Sequence, residues 1–208
     1  MNQKNSLGLN NCFLDLDDPI QLFKVWMDEA KKSEPNDPNA VSLATSNKKN
    51  FPSVRMVLLK DFSQNGFVFY TNLNSQKGDE LKENPKAAMC FHWKSLLRQV
   101  RIHGKVTQVS NADADQYYDS RAYESRIGAW ASKQSEELIS RDQLIRSIKK
   151  YKNKYSDEKK VPRPSNWSGW NLSPLSVEFW LDGDSRIHER LKYTKDNSGQ
   201  WIKSLLSP

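Results

Sequence analysis

Residues 55–81 read RMVLLKDFSQNGFVFYTNLNSQKGDEL. The run Arg55-Met56-Val57-Leu58-Leu59-Lys60 is apolar in its middle and cationic at both ends. Asn65-Gly66 marks a two-residue hairpin turn. Phe67-Val68-Phe69-Tyr70-Thr71 is rich in aromatic and β-branched residues that fit a pleated surface, so the two runs are read as the arms of one hairpin. Ser75 then caps a helix that begins with Gln76-Lys77-Gly78-Asp79-Glu80 and carries acids early. Arg55, Lys60 and Lys77, with the hydroxyls of Thr71 and Ser75, bracket the hairpin's ends. A helix N-terminus with such neighbours attracts anions, because its unpaired N–H groups and its dipole both favour negative charge. The same residues also suit a surface hairpin with solvated cations, and this stretch alone does not choose between the two.

Upstream, residues 1–17 are polar and turn-rich, so they are expected to be mobile. Asp18-Pro19 opens a helix, with the aspartate as cap and proline at the first position. Ile20, Phe23, Trp26 and Met27 recur at helical spacing to about Lys32. A strand is expected over Ala40 to Ser46, turned by Asn47-Lys48-Lys49-Asn50 into the strand of Arg55. Downstream of Asn84-Pro85, Lys86 to Trp93 and Arg98 to Val109 read as strands. In the second, Val100 and Ile102 fall on one face and Gln99, Arg101 and His103 on the other. That polar face is explained equally by solvent or by a ligand lying on the sheet.

Helices are expected over Asn111 to Ser120, Glu124 to Ala131 and Ser140 to Tyr155, and a loop over residues 156–171. Three strands follow: Ser176 to Leu181, Arg186 to Thr194 and Trp201 to Leu205. Many strands with a helical insertion, and no Gly-x-Gly-x-x-Gly, favour a barrel over a doubly wound sheet.

Composition narrows the function. The 208 residues include 7 Trp, 7 Tyr and 8 Phe, enough for an aromatic core and an aromatic interface. No apolar run is long enough to span a membrane, and the N-terminus lacks the pattern of a signal peptide. Cys12 and Cys90 read as free thiols in a reducing compartment. Three histidines without a Cys-x-x-Cys pair make a metal site unexpected. The net charge of +7 points to an anionic partner of some kind.

Two further groups of residues could carry chemistry. Tyr117, Arg121 and Ser125 are spaced four apart, which on one continuous helix places them on one face. A guanidinium between two hydroxyls suits a phosphate, although the spacing also fits an exposed helix face. In a strand, Arg186, His188 and Arg190 point to one side. Three such groups in a row repel one another unless an anion or a π-system lies opposite.

The Arg-x-x-Leu-Leu-Lys run, the Gly-Phe-x-Phe-Tyr-Thr-Asn run and Ser-x-Lys-Gly-x-Glu-Leu together resemble the pyridoxamine 5′-phosphate oxidase family. The likeness extends from about Asp18 to the C-terminus. It implies a mostly β fold with helices, an FMN-binding split β-barrel with a helical annex, formed by residues 18–208 as a single domain. It implies a homodimer with FMN at the subunit interface, to which the C-terminal strands, about 172–208, contribute. By this resemblance FMN is held by Arg55, Met56, Val57, Leu58, Tyr70, Thr71, Lys77, Gln99, Gln134, Ser135, Trp180 and Arg190. Lys60, Tyr117, Arg121 and Ser125 hold the substrate phosphate. Arg186 and His188 contact the pyridine side as the catalytic pair, with Arg186 over the reacting carbon.

The implied reaction is oxidation of pyridoxamine or pyridoxine 5′-phosphate by O2 to pyridoxal 5′-phosphate and H2O2, in the cytoplasm, without nucleic acid or membrane partners. Three departures stand out: Gln76 where the family usually has arginine, no recognisable Arg/Tyr substrate-covering segment in residues 1–17, and Leu205 where the family favours arginine. Two competing readings are a same-fold flavin enzyme of the phenazine-pathway type and a non-catalytic flavin- or nucleic-acid-binding module. The joint presence of Lys60, Tyr117, Arg121 and Ser125 weighs against the first. Scattered cations without a binding motif weigh against nucleic acid.

Overall fold

A computed structural model describes residues 4–208. Asp18 caps the first helix, α1 (Pro19–Ser33), its side chain accepting from the Ile20 N–H, with proline at the first position as expected. The helix buries Ile20, Leu22, Phe23, Trp26, Met27 and Ala30, one apolar stripe at helical spacing. Phe23 is the hub of this packing. Its ring lies 4.9 Å from Phe62, 5.0 Å from Phe67 and 5.2 Å from Phe91, centroid to centroid, the first two edge to face.

The remaining elements are β1 (Ala40–Ser46), β2 (Pro52–Leu58), β3 (Asp61–Ser63), β4 (Gly66–Asn72), α2 (Gln76–Glu83), β5 (Lys86–Trp93), β6 (Arg98–Gln108), α3 (Asn111–Asp119), α4 (Tyr123–Ala131), α5 (Arg141–Lys154), β7 (Trp167–Leu181), β8 (Glu189–Lys195) and β9 (Trp201–Leu205). Among the described residues the nine strands form one sheet. Its order is β2-β1-β5-β6-β7-β4-β3, with β8 added to β7 and β9 to β8, and every pairing is antiparallel.

The two ends of that order, β2 and β3, are consecutive in sequence. Leu59 and Lys60 join them: Leu59 N–H donates to Asn39 O and Lys60 N–H to Val68 O, both at 2.8 Å. The sheet therefore curls until its edges meet at this corner. Val41, Leu43, Phe67, Phe69, Phe91, Val100, Ile102 and Phe179 fill the inside.

Four expectations change. The arm paired with Phe67–Thr71 is β3, not the strand of Arg55, which pairs with β1. The loop is Gln64-Asn65, since Ser63 already faces Gly66. Gly66 sits at φ +135°, and a Cβ there would come 2.3 Å from Leu172 O, so glycine is required by close backbone approach. Second, residues 167–171 are strand. Pro162, Pro164 and Gly169 read as loop punctuation, but pairing with β4 and β6 extends β7 back to Trp167.

Third, Arg186 is not in a strand. Ser185 and Arg186 adopt φ of 54° and 66° in a turn before β8, so Arg186, His188 and Arg190 do not line one strand face. Fourth, Tyr117, Arg121 and Ser125 do not share a continuous helix, because α3 ends at Asp119 and α4 begins at Tyr123.

Residues 4–17, whose composition suggested mobility, carry anchoring contacts. Phe13 is fully buried and packs 5.3 Å from Trp26. Trp26 Nε1 donates to Cys12 O at 2.7 Å, and Tyr193 OH donates to Leu16 O at 2.8 Å. The expectation extended to residues 1–3, which lie outside the described residues. Helix α5 is different in kind: it has no buried residue. It is held by ring contacts of Tyr151 with Trp130 and by a bond from Ser147 Oγ to Ala131 O.

Replacing Phe13 by alanine removes a fully buried aromatic ring, and a loss of about 3 kcal/mol in unfolding free energy is expected. Urea denaturation of wild type and Phe13→Ala measures it. A change below about 0.5 kcal/mol, the range of neutral surface substitutions, would mean the N-terminal segment contributes little to the fold.

Candidate functional site

Strand alternation sorts β4 into inward Phe67, Phe69 and Thr71 and outward Val68 and Tyr70. Tyr70 stacks on Tyr117 of α3 with centroids 4.0 Å apart and on Trp167 of β7 at 5.3 Å. Arg121, in the turn between α3 and α4, lays its guanidinium over Trp167 at 4.6 Å. Its Nη1 is buried and has no hydrogen-bond partner in the structure. Burial draws the Arg121 pKa below its usual value, opposed by Tyr117 and Tyr118. A buried, unpaired guanidinium N–H is costly, and an anion beside it relieves that cost.

The cavity beside this arrangement, about 380 Å³, is lined by Leu58, Lys60, Tyr70, Tyr117, Arg121, Ala122, Ser125 and Trp167. Lys60, Tyr117, Arg121 and Ser125 are thus brought together. The break between α3 and α4 does this, not a shared helix face. A second cavity shares Tyr70, Arg121, Ser125 and Trp167 with the first and adds Thr71, Asn72 and Gln134. The two form one groove along the helical annex.

Behind Gln134, outside the lining of this groove, lies Lys77. Ser75 caps α2, its hydroxyl accepting from Gly78 N–H. Lys77 Nζ donates to Ser75 Oγ at 2.9 Å and to Gln134 Oε1 at 2.7 Å, and Thr71 Oγ1 donates to the same Gln134 oxygen at 3.1 Å. The ammonium is buried, and no carboxylate lies within ion-pair distance of it among the described residues. Burial, and then the charge of Arg55, push the Lys77 pKa down to about 8. Ser135, next to Gln134, sits at φ 72° in the loop after α4.

Arg55 is turned inward. Its Nη2 lies 3.2 Å from Glu80 Oε2, and its Nη1 donates to Thr45 Oγ1. Along β2, Val57 packs against the core while Met56 and Leu58 face outward and are exposed.

The remaining candidates lie elsewhere. Gln99, Trp180 and Arg190 form a cross-strand row on the outer face of β6, β7 and β8. Arg190 donates from Nε and Nη2 to Glu178 Oε1 at 2.9 and 2.7 Å. The His188 ring sits 4.7 Å from Trp180, and its Nδ1 is 3.0 Å from Asp182 Oδ1. Arg186 is exposed in the preceding turn. None of these five residues lines either part of the groove. Within one chain the candidates therefore form two separate groups.

Two residues were missed by sequence reasoning. Trp167 lay in a segment read as loop, and nothing local marks it as a wall. Glu80 was read as a first-turn acid, yet its carboxylate is buried at the hub of four donors. Its spacing of four from Gln76 was a usable signal; its pairing with Arg55 was not.

A curled antiparallel sheet with a helical annex, and a cationic groove walled by aromatics, defines a protein of the split-barrel class. Solved structures agree. A pyridoxamine 5′-phosphate oxidase-related, FMN-binding protein from Nostoc punctiforme superposes with a TM-score of 0.74 over 92% of this chain and 98% of its own, at 16% identity, which shows the fold. PhzG from Burkholderia lata, solved with tetrahydrophenazine-1-carboxylic acid, superposes with a TM-score of 0.88 at 28% identity, covering 95% and 96% of the two chains.

The chain belongs to the pyridoxamine 5′-phosphate oxidase family. The family's profile matches residues 27–155, and a pyridoxine 5′-phosphate oxidase C-terminal dimerisation region matches residues 167–208. The pyridoxine/pyridoxamine 5′-phosphate oxidase of Pelagibacter ubique is 74% identical over the whole of both chains. That of Allorhizobium ampelinum is 54% identical over 94% of this chain and 95% of its own. Among the described residues, no helix is long and apolar enough to cross a membrane.

The depressed Lys77 pKa has a consequence for stability. Between about pH 8 and the ordinary lysine value of 10.5, the unfolded chain binds the proton that the folded chain has released. The flavin-free protein is therefore expected to gain stability relative to Lys77→Met as pH rises through that window. Paired denaturation curves at pH 7.5 and 9.5 measure this, and a pH-independent difference would refute a buried, unneutralised ammonium.

Proposed function

We propose that the protein is an FMN-dependent oxidase converting pyridoxamine or pyridoxine 5′-phosphate to pyridoxal 5′-phosphate in the cytoplasm, acting as a homodimer. The observation that carries this reading is the groove in which Lys60, Tyr117, Arg121 and Ser125 converge around an unpaired, buried guanidinium N–H. Its chemistry suits the phosphate of a planar aromatic ligand. Full-length identity to oxidases of that name supports the substrate class.

The residues present also fit FMN. Lys77, buried and lacking an ion-pair partner, suits the nucleotide's phosphate. Thr71, Gln134 and Ser135 supply polar contacts around it, and Arg55 a second cation. Met56, Val57, Leu58, Tyr70, Gln99, Trp180 and Arg190 complete the proposed set. When bound, FMN supplies the redox chemistry, taking two electrons from the substrate and passing them to O2 to give H2O2. The alcohol substrate is then balanced by O2 alone, and the amine by O2 and water with release of ammonia.

The chain's own residues bind and orient. Lys60, Arg121, Tyr117 and Ser125 grip the substrate phosphate. Arg186 and His188 align the pyridine ring so that its exocyclic carbon is held for oxidation. In one protomer these two residues lie apart from the phosphate groove. The reading therefore assigns them to the neighbouring subunit's groove, reached through the dimerisation region.

Purified protein given pyridoxamine 5′-phosphate in air is expected to form aldehyde and peroxide in equal amounts. Arg121→Ala is expected to raise KM about 10- to 100-fold, the loss of a charged hydrogen bond of roughly 1.5–3 kcal/mol, while kcat holds. Arg186→Ala is expected to lower kcat with flavin retained. A yellow protein that forms neither product refutes the substrate. Turnover only with a tetrahydrophenazine carboxylic acid, the kind of compound bound to the Burkholderia relative, would replace the vitamin-derived substrate with a phenazine precursor. Unchanged activity in both variants refutes the residue roles.

A further inference from the structure

Glu80 lies on α2, three residues beyond Lys77, with its side chain 6% exposed. It is surrounded by donors from three elements. Thr45 Oγ1 of β1 donates to Oε2, Ser53 Oγ of β2 to Oε1 at 2.7 Å, and Gln76 Nε2 of α2 to Oε1 at 3.0 Å. Arg55 Nη2 of β2 lies 3.2 Å from Oε2. A buried carboxylate with this many donors is held in one orientation, and it holds Arg55 in turn.

We infer that Glu80 is a positioning residue for the proposed flavin phosphate site: it fixes Arg55 against β1 and balances the paired charges of Arg55 and Lys77, so that a phosphate meets two cations in set places. The inference rests on the FMN reading given above. The Arg55 charge disfavours the charged form of the buried Lys77. Glu80 is the carboxylate that opposes this at Lys77, whose hydrogen-bond partners are Ser75 and Gln134.

Gln76 matters in the same terms. It satisfies Glu80 Oε1 and Ser53 without bringing a charge, so the carboxylate's charge stays with Arg55 and Lys77. The carboxyl stays ionised despite burial, because hydrogen bonds from Thr45, Ser53 and Gln76, with the Arg55 charge, hold it below the usual range.

The test is a titration of flavin-free protein with FMN, and with riboflavin, across pH 6 to 10, read by flavin fluorescence. Wild type is expected to lose FMN affinity as pH rises past about 8, where Lys77 deprotonates. Riboflavin, lacking the phosphate, is expected to show no such fall. Glu80→Gln is expected to move the fall to lower pH, the direction that removal of an opposite charge gives. Glu80→Asp is expected to restore the wild-type position. Asp79→Asn, which changes an exposed charge on the same helix, is expected to leave it unmoved.

Where Glu80→Gln does not fold, Arg55→Gln/Glu80→Gln removes both charges together. At pH 6, where Lys77 is charged with or without Glu80, it is expected to bind FMN no more weakly than Arg55→Gln alone, because there Glu80 acts only by holding Arg55. A fall that stays in place in Glu80→Gln, or a double variant tenfold weaker than Arg55→Gln, overturns the role of Glu80. A wild type that binds FMN at no pH instead overturns the flavin reading itself.

Discussion

The corner at Leu59 and Lys60 is the constraint on which the structure turns. Leu59 is buried, its N–H donates to Asn39 O, and its own carbonyl accepts from Asn39 Nδ2 at 2.9 Å. One residue later the backbone bonds to β4 instead. A single peptide step thus moves the chain from one edge of the sheet to the other. The curl encloses the aromatic interior around Phe23, and it also sets Lys60 at the rim, beside the turn that carries Arg121. The fold and the groove share one cause.

The distribution of paired and unpaired cations follows from that geometry. Arg98 lies over Trp26 and is paired with Glu29, Arg190 is held by Glu178, and Arg163 by Asp115. Among the described residues, Lys31, Lys82, Lys133 and Lys160 pair with acids three residues away in exposed arrangements that contribute little. Against this background Arg121 and Lys77 differ: both are sheltered, and neither has a carboxylate in contact. A net charge of +7 describes long-range attraction. The two sheltered cations describe where an anion gains most.

Much of this was legible in the sequence, for identifiable reasons. The Asp18-Pro19 start, the Ser75 cap and the alternation of Val100 and Ile102 against Gln99 and Arg101 are local signals, and each appears in the structure. Local signals failed where pairing partners decide. The strand of Arg55 could not announce that it pairs with β1 and not with Phe67–Thr71. Trp167–Asn171 carries loop-like punctuation that two flanking strands override. Arg186 looked like strand until Ser185 and Arg186 turned left-handed, a conformation that non-glycine residues rarely adopt and that no pattern signals. The groove's four phosphate candidates were found by spacing and resemblance, although a break between two helices, not a helix face, brings them together.

The absence of buried residues along α5 separates that helix from the rest of the fold energetically. Its capping serine and a few ring contacts must do what apolar burial does elsewhere, and a helix of this length is marginal without packing. Its amide protons should therefore trade with solvent through brief local openings, while those of β5, β6 and β7 wait for the whole barrel to come apart. The last helix is thus fastened to α4 by side-chain bonds and rings more than by a shared core.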